Sequence, residues 1–162
     1  MPGGVETVVE LNTKGRYAVT AMADLAKYGA GDAVPLSAIA ERQQISLAYL
    51  EQLFGKLRRA GLVESERGRA GGYRLARPAS SVTVADIMQA VEEGIRMTRC
   101  AGEDSPPCMA GRRCLTHGLW DALGDQIAVF LASVTLQEVL DGITPGKLAV
   151  RMPTGSVGLV AD

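Results

Sequence analysis

The chain has 162 residues, 47% of them hydrophobic, with 17 lysines and arginines against 18 aspartates and glutamates. This length suits one globular domain, or a small domain with an added dimerisation arm. No apolar run approaches the roughly 18 residues that a membrane span needs, and the start lacks the basic and apolar stretches of a signal peptide. The three cysteines, an odd number, disfavour a disulfide framework. We therefore expect a cytoplasmic protein.

Charge is distributed unevenly along the chain. Residues 13–77 hold eleven basic and six acidic residues, whereas residues 78–162 hold six basic and ten acidic ones. A basic surplus indicates the half that meets nucleic-acid phosphates, although an ordinary solvated face has the same appearance.

Three helices are predicted before the first hairpin. Thr13 and Ser37 are candidate caps of the first and second helices. The third begins at Ser46, after a tight turn, and ends at Gly61. Its apolar positions recur at helical spacing: Tyr49, Leu50, Leu53, Phe54 and Leu57.

Two short strands are predicted at residues 62–65 and 73–75, around the glycine- and arginine-rich loop 66–72. Three helices followed by a hairpin indicate a winged helix-turn-helix. We therefore predict a mainly α-helical fold with a small β-hairpin wing, in which residues 11–77 form the DNA-binding domain and a long dimerisation helix follows.

The third helix is predicted to enter the major groove of double-stranded DNA. Gln52 could pair with adenine, and Glu51 could accept a hydrogen bond from cytosine N4. Arg67 and Arg69 could enter a narrow minor groove. The alternative interpretation is that these are ordinary exposed residues that aid solubility. The full predicted DNA-binding set is Lys14, Arg16, Tyr17, Ser46, Ala48, Tyr49, Glu51, Gln52, Lys56, Arg58, Arg59, Arg67, Arg69 and Gly71.

The second half divides into four segments. Residues 78–99 are predicted to form a linking helix, capped at Thr83, and 100–117 an irregular loop. Residues 118–142 form dimerisation helices, because an apolar stripe there follows a winged-helix unit with little surface left to cover it. Residues 143–162 are expected to be a disordered tail. The stripe consists of Leu119, Leu123, Ile127, Phe130, Leu131 and Val134.

A metal site is predicted in the loop at Cys100, Cys108, Cys114 and His117, a C-x7-C-x5-C-x2-H array. Such a set can hold a tetrahedral zinc ion or an iron-sulfur cluster. A structural zinc protein that binds nucleic acid is thus an alternative, although the loop lacks the aromatic residues that stack on RNA bases. An enzyme in which Cys114 is the nucleophile and His117 the base is disfavoured, because the sequence shows no second polar cluster to accompany these two residues.

Four segments in order resemble the IscR family of bacterial iron-sulfur cluster regulators: KGRYAVTAM from Lys14, ISLAYLEQLF from Ile45, the wing glycines, and CLTH from Cys114. The resemblance implies a homodimeric repressor of iron-sulfur assembly genes. It also implies a 2Fe-2S cluster on Cys100, Cys108, Cys114 and His117, received from iron-sulfur assembly proteins. A related nitric-oxide-sensing repressor, similar to NsrR, is the alternative within the superfamily.

Overall fold

Six α-helices and one two-stranded hairpin lie in the residues that the computed structural model describes, 13–91 and 107–142. The predictions for Cys100 and for residues 143–162 fall outside these ranges. None of the described helices combines the length and apolar character that a membrane crossing requires. In chain order the elements are α1 (Thr13–Gly29), α2 (Leu36–Gln43), α3 (Leu47–Arg59), β1 (Val63–Glu66), β2 (Gly72–Leu75), a 3-10 turn (Ala79–Ser81), α4 (Val84–Val91), α5 (His117–Ser133) and α6 (Leu136–Leu140).

Helices α2 and α3 form the predicted helix-turn-helix. Gln44 ends α2 in the left-handed conformation, with φ of 55°. Ser46 then caps α3, because its Oγ accepts a hydrogen bond from the Tyr49 N–H at 3.3 Å. The predicted cap at Ser37 is wrong: Ser37 lies inside α2, and the cap position is Pro35, which makes no side-chain hydrogen bond.

The wing is an antiparallel hairpin in which Val63 pairs with Leu75 and Glu66 with Gly72. Its second strand also pairs with the segment before α2, which explains the early start of that helix. The Val34 N–H donates to the Tyr73 carbonyl at 2.8 Å, and the Tyr73 N–H donates back at 2.9 Å. The wing is therefore fixed to the helix-turn-helix by backbone bonds.

One hydrophobic core joins α1, α2, α3, the wing, α4 and α6. The bidentate ion pair between Arg42 of α2 and the buried Asp24 of α1, at 2.7 and 3.0 Å, also fastens α2 to α1. Gln43 donates a further bond to Asp24 at 2.7 Å. The largest fully buried side chains are Phe54, Met22, Leu25, Ile39, Leu50, Leu53, Leu57, Leu62, Ile87, Leu136, Val63 and Val82.

A second cluster attaches α5 to α4, and it corrects the expectation that a partner covers the whole stripe. Leu131 and Val134 are buried against Val84 and Met88 of α4, because α4 offers apolar surface that the α1 and α3 core leaves free. Only the first part of the stripe stays exposed, with Leu119 62% and Leu123 41% accessible.

Reciprocal capping boxes begin α4 and α6. Thr83 and Asp86 exchange side-chain and backbone bonds at 3.0 Å, and Thr135 and Glu138 do so at 2.9 and 3.2 Å. A β-bridge between Thr83 and Thr135 places the two caps side by side. The start of α4 and the end of α5 are thereby held together.

Candidate functional site

Helix α3 turns one face to the core and the other to solvent. Ala48, Glu51 and Gln52 are exposed on the solvent side. Because Ser46 caps the helix, these three residues occupy its first two turns, the part that reaches base edges in this class of motif. The buried face consists of Leu50, Leu53, Phe54 and Leu57.

Two tyrosines join the start of α1 to the start of α3. The rings of Tyr17 and Tyr49 meet edge to face, with centroids 5.9 Å apart and an interplanar angle of 84°. Both side chains are half-buried, whereas Lys14 and Arg16 next to Tyr17 are exposed. Helix α1 therefore brings two basic residues close to the first turn of α3.

The tip of the wing presents Arg67 and Arg69 to solvent. Gly68 has φ of 109°, a conformation that side-chain-bearing residues rarely adopt. A Cβ on Gly71 would lie 2.6 Å from the Glu66 carbonyl oxygen. Gly71 thus contributes the tight turn that holds the two arginines at the tip.

The three basic residues at the end of α3 have different surroundings. Arg59 is exposed, and Arg58 lies 3.4 Å from the Ser65 hydroxyl, to which its Nη1 donates. Lys56 is half-buried, and its Nζ donates to the Val91 carbonyl of α4 at 3.2 Å. The sequence did not indicate this tie between α3 and α4.

In the metal-site loop, Cys108 Sγ lies 3.1 Å from His117 Nδ1. A tight turn lies between the two residues in the chain. Met109 and Arg112 exchange backbone hydrogen bonds at 3.1 and 3.2 Å, with Gly111 in the left-handed conformation at φ of 74°. Because the chain reverses there, the predicted ligands on either side of the turn come together.

A second turn brings Cys114 to the start of α5, where the His117 N–H donates to the Cys114 carbonyl at 3.1 Å. The side chains of Cys108 and Cys114 are of intermediate exposure. Within residues 13–91 and 107–142, no three His, Cys, Asp or Glu side chains are grouped closely enough to hold a metal ion. Cys100, the fourth predicted ligand, lies outside those ranges.

The donor set fits an iron-sulfur cluster or zinc. A thiolate at about 2.3 Å and an imidazole at about 2.0 Å from one tetrahedral metal lie roughly 3.5 Å apart. Cys108 and His117 need to separate by only about 0.4 Å from their 3.1 Å contact to reach that spacing. Soft sulfur with imidazole is the donor chemistry that zinc and iron-sulfur clusters take.

Sequence reasoning missed a hydrogen-bonded pair beside the ligands. Trp120 Nε1 donates to Thr116 Oγ1 at 3.0 Å, and that oxygen lies 3.8 Å from Cys114 Sγ. The four-residue spacing of Thr116 and Trp120 on one helical face was the available signal.

Comparisons with known proteins agree with this architecture. The chain matches the Rrf2 family model, described as an iron-dependent transcriptional regulator, over residues 11–142. It is 51% identical over 133 residues to the HTH-type transcriptional regulator IscR of Photorhabdus laumondii, covering 82% of this chain and 80% of that protein.

Two solved structures share the fold. The T. potens IscR matches with a TM-score of 0.66 and 36% identity, covering 90% of this chain and 93% of that one. CymR, the global cysteine regulator of B. subtilis, matches with a TM-score of 0.69 and 32% identity over 85% and 100% of the two chains. The predicted winged helix-turn-helix is confirmed, and the similarity is to regulators rather than enzymes. The chain belongs to the Rrf2 family of transcriptional regulators.

Proposed function

We propose that this regulator places α3 in the major groove of promoter DNA and the wing in the adjacent minor groove. The observation that carries the proposal is the Ser46-capped start of α3, which exposes Ala48, Glu51 and Gln52. Gln52 offers an amide that fits adenine, and Glu51 offers an acceptor for cytosine N4. Such a protein works in the bacterial cytoplasm, where promoter DNA is found.

Phosphate contacts are proposed for the exposed basic residues around α3. Lys14 and Arg16 extend from α1, Arg59 from the end of α3, and Arg67 and Arg69 from the wing. Their charges would fix the position of α3 on the duplex and make affinity fall with salt. Arg58 belongs to the same group. Lys56 reaches phosphate only if it leaves the Val91 carbonyl.

We propose that Cys100, Cys108, Cys114 and His117 hold a 2Fe-2S cluster supplied by iron-sulfur assembly proteins. The 3.1 Å approach of Cys108 to His117 and the similarity to the IscR regulators support this assignment. A bound cluster supplies a centre that gains and loses one electron. The regulator is then mainly a repressor of iron-sulfur assembly genes, and cluster loading reports that clusters are plentiful.

The fold offers a route from the ligands to α3. His117 is the first residue of α5, the last turns of α5 pack on α4, and Lys56 ties α4 to α3. Binding at His117 and the cysteines would restrain the start of α5. The cluster-loaded and cluster-free proteins would then differ in how α5, α4 and α3 are held. The change in DNA affinity equals the difference between the affinities of these two states for DNA.

A homodimer is proposed through the first half of α5. Leu119 and Leu123 are exposed apolar side chains one turn apart on that helix. A two-fold axis that pairs α5 with its copy would cover them and present two α3 helices to successive turns of DNA.

Fluorescence anisotropy with a labelled duplex from upstream of iron-sulfur assembly genes tests the DNA assignment. We expect Gln52→Ala to weaken binding about tenfold, because one bidentate base contact is lost. Gln137→Ala, on α6 outside the helix-turn-helix, is the matched control and should bind like the unaltered protein. Equal affinity of Gln52→Ala and the control would contradict the placement of α3.

A further inference from the structure

Thr116 stands between a predicted ligand and the only tryptophan of the chain. Its Oγ1 accepts a hydrogen bond from Trp120 Nε1 at 3.0 Å and lies 3.8 Å from Cys114 Sγ. The second distance is long for oxygen partners but within reach of a hydrogen bond to the larger sulfur atom. The three side chains thus form a row from the indole to the thiol.

Thr116 occupies the N-cap position of α5, but its side chain makes no capping hydrogen bond. Thr135 occupies the same position of α6 and accepts from the Glu138 N–H at 3.2 Å. The backbone explains the difference: Thr135 has the extended ψ of 157° usual for a cap, whereas Thr116 has ψ of 8°. The Thr116 hydroxyl is consequently turned to Trp120 and Cys114.

Donor and acceptor chemistry then fixes the direction of the bonds. An indole N–H only donates, so Thr116 Oγ1 is the acceptor from Trp120. A thiolate that ligates a metal has no proton and only accepts. The single hydroxyl hydrogen of Thr116 is therefore the one that can point at Cys114 Sγ.

We propose that Thr116 is a positioning residue that donates a hydrogen bond to the ligating Cys114 sulfur, with Trp120 holding the hydroxyl in that orientation. The inference rests on the proposed cluster site. Hydrogen bonds to ligating sulfur withdraw negative charge and favour the reduced cluster, so Thr116 raises the reduction potential. Reduction of the cluster is the transfer of one electron from an external donor. No proton moves and no bond breaks in this step.

Spectroelectrochemical titration of the cluster-loaded protein tests the proposal. In Thr116→Val, which keeps the side-chain shape and removes the hydroxyl, we expect a more negative potential. The ratio of oxidised to reduced cluster at a fixed potential should rise about fivefold, which corresponds to the net free energy of one ordinary hydrogen bond. Thr116→Ser keeps the hydroxyl and should keep the potential, and Trp120→Phe should shift it in the same direction as Thr116→Val but less. An unchanged potential in Thr116→Val would overturn the proposal.

Cobalt(II) separates failure of this inference from failure of the cluster assignment. A Co²⁺ ion on the cysteines gives a sulfur-to-metal charge-transfer band whose energy falls when a hydrogen bond to the sulfur is lost. We expect a red shift in Thr116→Val and none in Thr116→Ser, even if the native metal is zinc. Identical bands in the two variants would refute the role of Thr116, whereas no cobalt binding by the unaltered protein would refute the proposed metal site on which that role rests.

Discussion

His117 Nδ1 lies 3.1 Å from Cys108 Sγ, although nine positions separate the two residues in the chain. The turn at Met109–Arg112 reverses the chain between the two residues and produces this approach. The fold therefore brings at least two of the four proposed ligands together.

Replacement of the imidazole is the first prediction. His117→Cys should still load a cluster and should lose it more slowly, because a fourth thiolate binds iron more firmly than a neutral imidazole. His117→Ala should lose the cluster faster than the unaltered protein. The decay of visible absorbance under a chelator gives the three rates, and equal rates for His117→Cys and the unaltered protein would remove the special role of the histidine.

The exposed part of the α5 stripe predicts the oligomeric state. Leu119→Asp with Leu123→Asp should convert a dimer to a monomer, since two charges would be buried without partners in the proposed interface. Val139→Asp changes an apolar side chain of similar exposure, 37%, on α6 and should leave the dimer intact. Sedimentation velocity measures the outcome, and a dimer in the double variant would show that α5 is not the interface.

The close contact between the wing and the helix-turn-helix predicts how a side chain at Gly72 would affect stability. A Cβ on Gly72 would lie 2.2 Å from the Val34 carbonyl oxygen, so the backbone pairing of Val34 with Tyr73 must break or shift. Gly72→Ala should lower the free energy of unfolding by about 2 to 3 kcal/mol. Gly55→Ala, in α3 with open space around it, should raise this free energy by about 0.5 to 1 kcal/mol. Urea titration distinguishes the two, and a neutral Gly72→Ala would contradict the close approach.

The ion pair beneath α2 gives a stability prediction. Asp24→Ala removes the charged acceptor of Arg42 and Gln43 and should lower the free energy of unfolding by about 2 kcal/mol, whereas the exposed Asp32→Ala should change it by less than about 0.5 kcal/mol. Similar losses in both variants would argue against the pair as the anchor of α2.

The same pair has a defined pH dependence. The hydrogen bond to Asp24 raises the pKa of Arg42 above the ordinary arginine value. A raised pKa means that the contribution of Arg42 is complete below its unfolded-state value and is lost only as the pH rises through the folded-state value. The difference in unfolding free energy between the unaltered protein and Arg42→Met should therefore stay flat from about pH 7 to about pH 10.

Local signals in the sequence predicted most of the fold. The Ser46 and Thr83 caps, the Gly61 stop and the hairpin around residues 66–72 all depend on neighbouring residues, and the structure has each of them. The start of α2 was placed wrongly because Val34 is paired with Tyr73, a contact between distant residues.

The candidate site was predictable in residue types but not in contacts. The spacing of Cys108, Cys114 and His117 could be recognised in the sequence. The hydrogen bond from Lys56 to the Val91 carbonyl could not, because it depends on how α3 and α4 pack. The orientation of the Thr116 hydroxyl depends on one backbone angle that no residue pattern encodes.

Metal analysis of protein purified without oxygen tests the central claim most directly. We expect two iron and two sulfide per subunit, with absorption between about 320 and 600 nm that is lost in Cys108→Ser and Cys114→Ser. A colourless protein with one zinc per subunit would contradict the cluster-sensing account and leave a winged-helix regulator with a structural metal. Four irons per subunit would equally contradict it, in favour of a different cluster sensor.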